Sequence, residues 1–139
     1  MAGECIYLDT SAVLAYLDAD DECHAAAVAA WNRILDEGSF LVMTEWVRLE
    51  CWSLVQRRLG MEAVKDFHGR ILPCCRVDPV DENRFEQLAG QVLVSRRRDL
   101  SLVDLSSFDS MNRNAITHAL AFDRHFNEQG FVTPDSPDW

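Results

Sequence analysis

Three short β-prone runs, residues 5–8 (Cys-Ile-Tyr-Leu), 40–43 (Phe-Leu-Val-Met) and 74–77 (Cys-Cys-Arg-Val), are separated by stretches patterned as helices. Runs this short, bounded by turn residues, read as strands rather than helices. Strands that alternate with helical stretches build crossover units, and crossover units build a parallel sheet with helices on both faces. Further strands are expected over 115–120 and 130–133, and helices over 12–17, 23–35, 44–58, 62–71, 81–95, 104–114 and 123–128. Gly38 and Gly60 supply stop signals, and Pro73 ends the helix that precedes it. The polar stretch 96–101 is a loop, and 134–139 is a short irregular tail. No linker, repeat or low-complexity block divides the chain, and 139 residues suit one domain over 1–139. The expected fold class is α/β: a three-layer α/β/α domain with a central, mostly parallel sheet.

The end of the first strand carries the chemistry. It stops at Asp9, followed by the hydroxyls of Thr10 and Ser11, and an apolar helical pattern begins at once. Open α/β sheets gather their ligands at the carboxyl ends of their strands. Asp123 repeats the situation, after the strand 115–120 and ahead of a short helix. Each aspartate also suits a plain N-cap.

Two further acids fall on faces that ought to be apolar. In the helix after Thr44 the stripe is Val47, Cys51 and Leu54, and Glu50 lies on it, whereas Glu45 points the other way, toward solvent. Asp104 heads the stripe Phe108, Met111, Ala115 and is expected to face the sheet, although first-turn capping accounts for it too. Asp109 points away and reads as a surface residue. Two carboxylates about 4 Å apart repel by about 4 kcal/mol at an effective dielectric near 20. A cluster of three or four therefore calls for a divalent cation or shared protons. All-oxygen ligation favours Mg²⁺ or Mn²⁺, which take substrate phosphates as further ligands. Metal-assisted phosphodiester hydrolysis is the chemistry this pattern points to.

A formal net charge of −10 excludes non-specific coating of nucleic acid. A cation or a local basic patch reverses that field at one site, and two patches qualify: Arg57-Arg58, and Arg96, Arg97 and Arg98 in the loop before Asp104. The second leads to the Asp104 helix and is expected to guide a nucleic-acid backbone. The five cysteines, at 5, 23, 51, 74 and 75, form no C-x-x-C pair and read as reduced thiols, with Cys74 and Cys75 on opposite faces of a strand. No signal peptide precedes the first strand and no apolar run approaches the ~20 residues of a spanning helix, so a cytoplasmic protein is expected. His118 and His125 are read as structural. Core packing is the default for at least two of Trp31, Trp46 and Trp52.

In the order Ile6-Tyr7-Leu8-Asp9-Thr10-Ser11-Ala12, Asp20-Asp21 before His24, Thr44 through Glu50, Ser101-Leu102-Val103-Asp104 with Asp109 behind it, and Ala121-Phe122-Asp123-Arg124-His125-Phe126, the chain resembles the PIN-domain nucleases. It is most similar to the VapC-like toxins of bacterial toxin–antitoxin pairs. The resemblance implies a PIN-like fold and a Mg²⁺- or Mn²⁺-dependent endoribonuclease. Its metal-binding acids are Asp9, Glu50, Asp104 and Asp123, and the supporting hydroxyl matches Thr10 or Ser11. Similar proteins often have Thr two residues before the last acid, where this chain has Ala121. A homodimer and a small antitoxin whose C-terminal segment covers the acidic groove are also implied. One metal or two is left open. The rival readings are a non-catalytic PIN-like binding module and a phosphohydrolase with Asp9 as nucleophile; the latter usually has a second aspartate where Ser11 stands.

Overall fold

The computed structural model describes residues 3–139. Among them four strands form one sheet in the order β3-β2-β1-β4. These are β1 (Cys5–Leu8), β2 (Phe40–Thr44), β3 (Cys75–Asp78) and β4 (His118–Leu120). Every pairing is parallel, with Tyr7 beside Val42 on one flank and Ala119 on the other. The chain builds outward from β1 through β2 to β3, then crosses back to lay β4 on the other side of β1. That reversal is the switch point at which doubly wound sheets open a crevice, and Asp9 and Asp123 follow the two strands that flank it.

Helices α1 (Thr10–Leu17) and α2 (His24–Asp36) lead to β2, and α3 (Glu45–Arg58) and α4 (Met61–Asp66) lead toward β3. Helices α5 (Glu82–Ser95) and α6 (Leu102–Arg113) make the long crossover to β4, and α7 (Arg124–Glu128) follows it. Central parallel strands are covered on both faces, and Ile6, Tyr7 and Leu8 are accordingly buried. Leu8 looks toward Ala12, Val13 and Tyr16 of α1, Trp31 of α2 and Ile71. Tyr7 looks the other way: its hydroxyl lies 2.6 Å from Ser107 Oγ of α6 and its ring meets Phe126 of α7. These are the three expected layers. No helix of the described residues is long and apolar enough to cross a membrane.

Several local readings needed correction. The helix expected over 62–71 is α4 only to Asp66; a π-helical turn, Phe67–Ile71, and a 3₁₀ turn, Leu72–Cys74, follow. Cys74 is therefore an exposed turn residue, its thiol directed at Arg70 O, and not a strand residue opposite Cys75. The strand 115–120 starts only at His118, because Ala115 takes a left-handed φ of 53° to close α6. The expected last strand is a single parallel bridge, Val132 beside His118. Of the tryptophans only Trp31 is buried; Trp46 and Trp52 are half-buried beside exposed Leu49 on the rim of a groove of about 620 Å³.

Two acids read as solvated are tied into the fold. Glu45 Oε1 accepts from the Val80 N–H at 2.6 Å, fastening the start of α3 to the segment after β3. Asp109 sits 3.1 Å from the guanidinium of buried Arg84, which also pairs with Asp78 at 3.2 Å and donates to Pro79 O. Ser110 Oγ completes the set by donating to Asp78 at 2.6 Å. Helical spacing located Asp109 off the apolar stripe correctly, but a neighbouring helix carrying Arg84 covers that side.

Candidate metal centre

Each sequence-selected acid is placed by a helix start or a helix face. Asp9 caps α1: its Oδ2 accepts from the Ser11 N–H at 3.1 Å and the Ser11 hydroxyl at 2.6 Å. Capping and site membership are thus compatible, since one carboxylate oxygen makes the cap and Oδ1 accepts no hydrogen bond among the described residues. Asp9 is only 7% exposed. Burial pushes its carboxyl up to about 6, the Ser11 hydrogen bonds oppose the rise, and the charges of Asp123 and Glu50 add to it. Ser11 Oγ also accepts from the Phe122 N–H at 2.9 Å, so one hydroxyl ties the turn after β1 to the turn after β4. No hydroxyl comes from Ala121, which is fully buried.

Thr10 and Ser11 divide the supporting work. Thr10 Oγ1 donates to Glu50 Oε1 at 2.6 Å, drawing the middle of α3 onto the start of α1. Glu50 is half-buried beside a stripe of Val47, Cys51 and Val55, which are fully covered; Leu54 lies at its margin. The α3 reading therefore holds with the stripe turned by one residue.

Asp104 differs from expectation in degree. It occupies the third position of α6 in a reciprocal capping box: its N–H donates to Ser101 Oγ and its Oδ2 accepts from the Ser101 N–H, both at 3.0 Å. It heads the stripe of Phe108 and Met111 but is half-buried rather than turned into the sheet. Asp123 caps α7, Oδ1 accepting from the His125 N–H at 2.9 Å. Ligand atoms of Asp104, Asp123 and His125 lie within 4.8 Å of one another. Asp123 thus belongs to both neighbourhoods, acting on Asp9 electrostatically and touching the Asp104 group directly.

Among the described residues no lysine or arginine pairs with Asp9, Glu50, Asp104 or Asp123, whereas Asp78, Asp99 and Asp109 each have an arginine. Carboxylates crowded at a switch point without a basic partner fit a divalent cation, which takes oxygen donors and tolerates mutual repulsion between them. The donor set is a partly buried acidic cluster, with Asp9 the deepest of its acids and one imidazole at its edge.

The arginine loop reaches the cluster indirectly. Arg97 clamps Asp99 with two contacts, 2.7 and 3.1 Å, and approaches Glu128 at 3.5 Å. Asp99 Oδ2 lies 3.2 Å from His125 Nε2, and His125 Nδ1 lies 3.0 Å from Asp123 Oδ1. Arg96 ends α5 in a left-handed conformation (φ 54°), and Arg98 is exposed beside it. Sequence reading passed over Asp99 and read His125 as structural. The available signal was Asp123-x-His125 at the start of a helix, a spacing that brings both side chains to one end.

The sequence matches the PIN domain family over residues 6–132. It is similar to the 23S rRNA-specific endonuclease VapC20 of Mycobacterium tuberculosis, 32% identical over 128 residues, in sequences from two strains. That alignment covers 91% of this chain and 95% of the relative. The crystal structure of M. tuberculosis VapC20, described as a sarcin-ricin loop cleaving toxin, superposes with a TM-score of 0.79 at 30% identity, covering 91% of this chain and 96% of that one. The match spans all four strands and all four acids, and the chain belongs to the PIN-domain family.

Proposed function

We propose that this chain is a divalent-metal-dependent endoribonuclease and the toxin of a toxin–antitoxin pair. The observation that carries the reading is the convergence of Asp9, Glu50, Asp104 and Asp123 on one switch point without a basic partner. The likeness to VapC20 directs it to RNA, and its 23S rRNA substrate is the first RNA to test. Asp9, Asp104 and Asp123 would hold Mg²⁺ or Mn²⁺. A bound cation supplies Lewis-acid stabilisation of a phosphodiester and lowers the pKa of bound water.

The chain's own residues supply order. Ser11 keeps Asp9 Oδ2 occupied and so directs Oδ1 into the crevice. Thr10 holds Glu50 by one oxygen and leaves the other to bind the ion or to orient the attacking water as a proton acceptor. Arg97 braces the loop through Asp99 and Glu128, and its unpaired neighbours Arg96 and Arg98 are offered to the RNA backbone. The expected partners are an RNA substrate, a cognate small antitoxin covering the acidic groove, and a second copy in a homodimer. The expected compartment is the cytoplasm.

Purified chain with Mn²⁺ or Mg²⁺ is expected to cleave a sarcin-ricin loop RNA. Asp9→Asn, Glu50→Gln, Asp104→Asn and Asp123→Asn should each lower the rate by 10²-fold or more, about 3 kcal/mol of barrier. Equal cleavage by native and variant samples would mark a contaminant, and no cleavage by any of them would favour a binding module.

A further inference from the structure

We propose that His125, through Nδ1, is a ligand of the cation held by Asp104 and Asp123, and that this nitrogen makes the centre prefer Mn²⁺ to Mg²⁺. The inference rests on the metal-centre reading above and names one more donor for it. His125 is 8% exposed, and its Nδ1 is buried with no hydrogen-bond partner. Buried ring nitrogens are ordinarily satisfied. This one is aimed at carboxylates, with Asp123 Oδ1 only 3.0 Å away but misaligned for a hydrogen bond.

The tautomer follows from the other side of the ring. Nε2 faces Asp99 Oδ2 at 3.2 Å, and Asp99 is clamped by Arg97. A carboxylate so held only accepts, so Nε2 carries a hydrogen and Nδ1 is the ring nitrogen left to face the acid cluster. Nδ1 and Asp123 Oδ1 face each other at 3.0 Å, and the misalignment that keeps a ring proton from bridging them suits a cation lying against both. Neighbouring ligands of an octahedral ion with bonds near 2.1 Å are separated by about 3 Å, which is the separation found. An imidazole backed by a carboxylate is also how protein metal sites orient a histidine ligand. Mg²⁺ favours oxygen and gains little from such a nitrogen, whereas first-row transition ions accept it.

The test is electron spin-echo spectroscopy of the full-length Mn²⁺-loaded protein, with calorimetric titrations of Mn²⁺ and Mg²⁺. A ¹⁴N coupling from a directly bound imidazole is expected; it should become ¹⁵N coupling in protein grown on ¹⁵N-histidine, vanish in His125→Gln and persist in His118→Gln. His125→Gln should weaken Mn²⁺ tenfold or more and change Mg²⁺ by less than threefold. Asp99→Asn should keep the nitrogen coupling while weakening Mn²⁺, because the ring is then less well held. Native protein that binds Mn²⁺ without nitrogen coupling overturns the proposal, with no variant needed. So does an equal loss of both ions in His125→Gln, which would make the ring only a prop for Asp123. RNA cleavage by the same samples separates the two readings: nitrogen coupling without cleavage supports the ligand and counts against the ribonuclease, and cleavage without coupling does the reverse.

Discussion

Asp9 performs two tasks that oppose each other, and the opposition is measurable. Its carboxyl is raised to about 6 from an ordinary 3.8, chiefly by burial, against the pull of the Ser11 hydrogen bonds. Below about pH 4 the group is protonated in folded and unfolded chains alike and burial carries no penalty. As the pH rises from about 4 to about 6 the unfolded chain releases its proton first, so this group removes up to about 3 kcal/mol of stability. Asp9→Asn keeps the cap, since its amide oxygen still accepts from Ser11, and removes the charge. In the presence of a chelator, urea unfolding should therefore find Asp9→Asn more stable than the native chain at pH 7 and nearly equal to it at pH 4. Saturating Mn²⁺ should reverse the order at pH 7, because an ion that binds only the folded chain stabilises it. A variant no more stable than native at pH 7 without metal would show that burial is not what sets this carboxyl.

At the level of elements, the acids are placed by helix starts and by ties between helices. Glu50 reaches the crevice because Thr10 ties α3 to α1, and Asp104 because a capping box holds the first turn of α6. The long crossover that carries Asp104 is itself clamped by Arg84, which joins α5, the end of β3 and the middle of α6. Arg84→Met removes the cation and leaves Asp78 and Asp109 facing each other. Breaking a buried pair from one side costs about 3–5 kcal/mol, and partial exposure of the two aspartates directs expectation to the low end, about 3 kcal/mol. Chemical denaturation checks the figure. A loss below about 1 kcal/mol would mean that solvent replaces the guanidinium and that α6 is held by its apolar face alone. The same network explains why Asp109, though part of the family pattern, does not join the acid cluster: Arg84 and Arg113 hold it on the other side of α6.

Over the whole molecule, the proposed function asks a chain of net charge −10 to bind a polyanion at an acidic crevice. On that proposal a bound cation would address the crevice, and Arg96 and Arg98 the approach. If both contact phosphates of a single-stranded segment, the slope of log affinity against log salt should fall by about 1.4 in the double Ala variant. Metal affinity should be unchanged. An unaltered slope would remove the loop from the RNA path. Sparing Arg97 matters here, because its pairing with Asp99 reaches the metal centre through His125. The alternation of short apolar runs with helices and the parallel sheet were legible in sequence, because each depends on local periodicity or on what ends a strand. Glu45 and Asp109 were not, because their partners, Val80 and Arg84, sit on other elements, and Asp99 and His125 were not, because the contact between them joins the loop before α6 to α7. Sequence alone determines where β1 stops and that a carboxylate stands there. Only the tertiary structure, by returning β4 beside β1, decides that Asp123 stands next to it and that a buried imidazole nitrogen is left without a hydrogen-bond partner at its side.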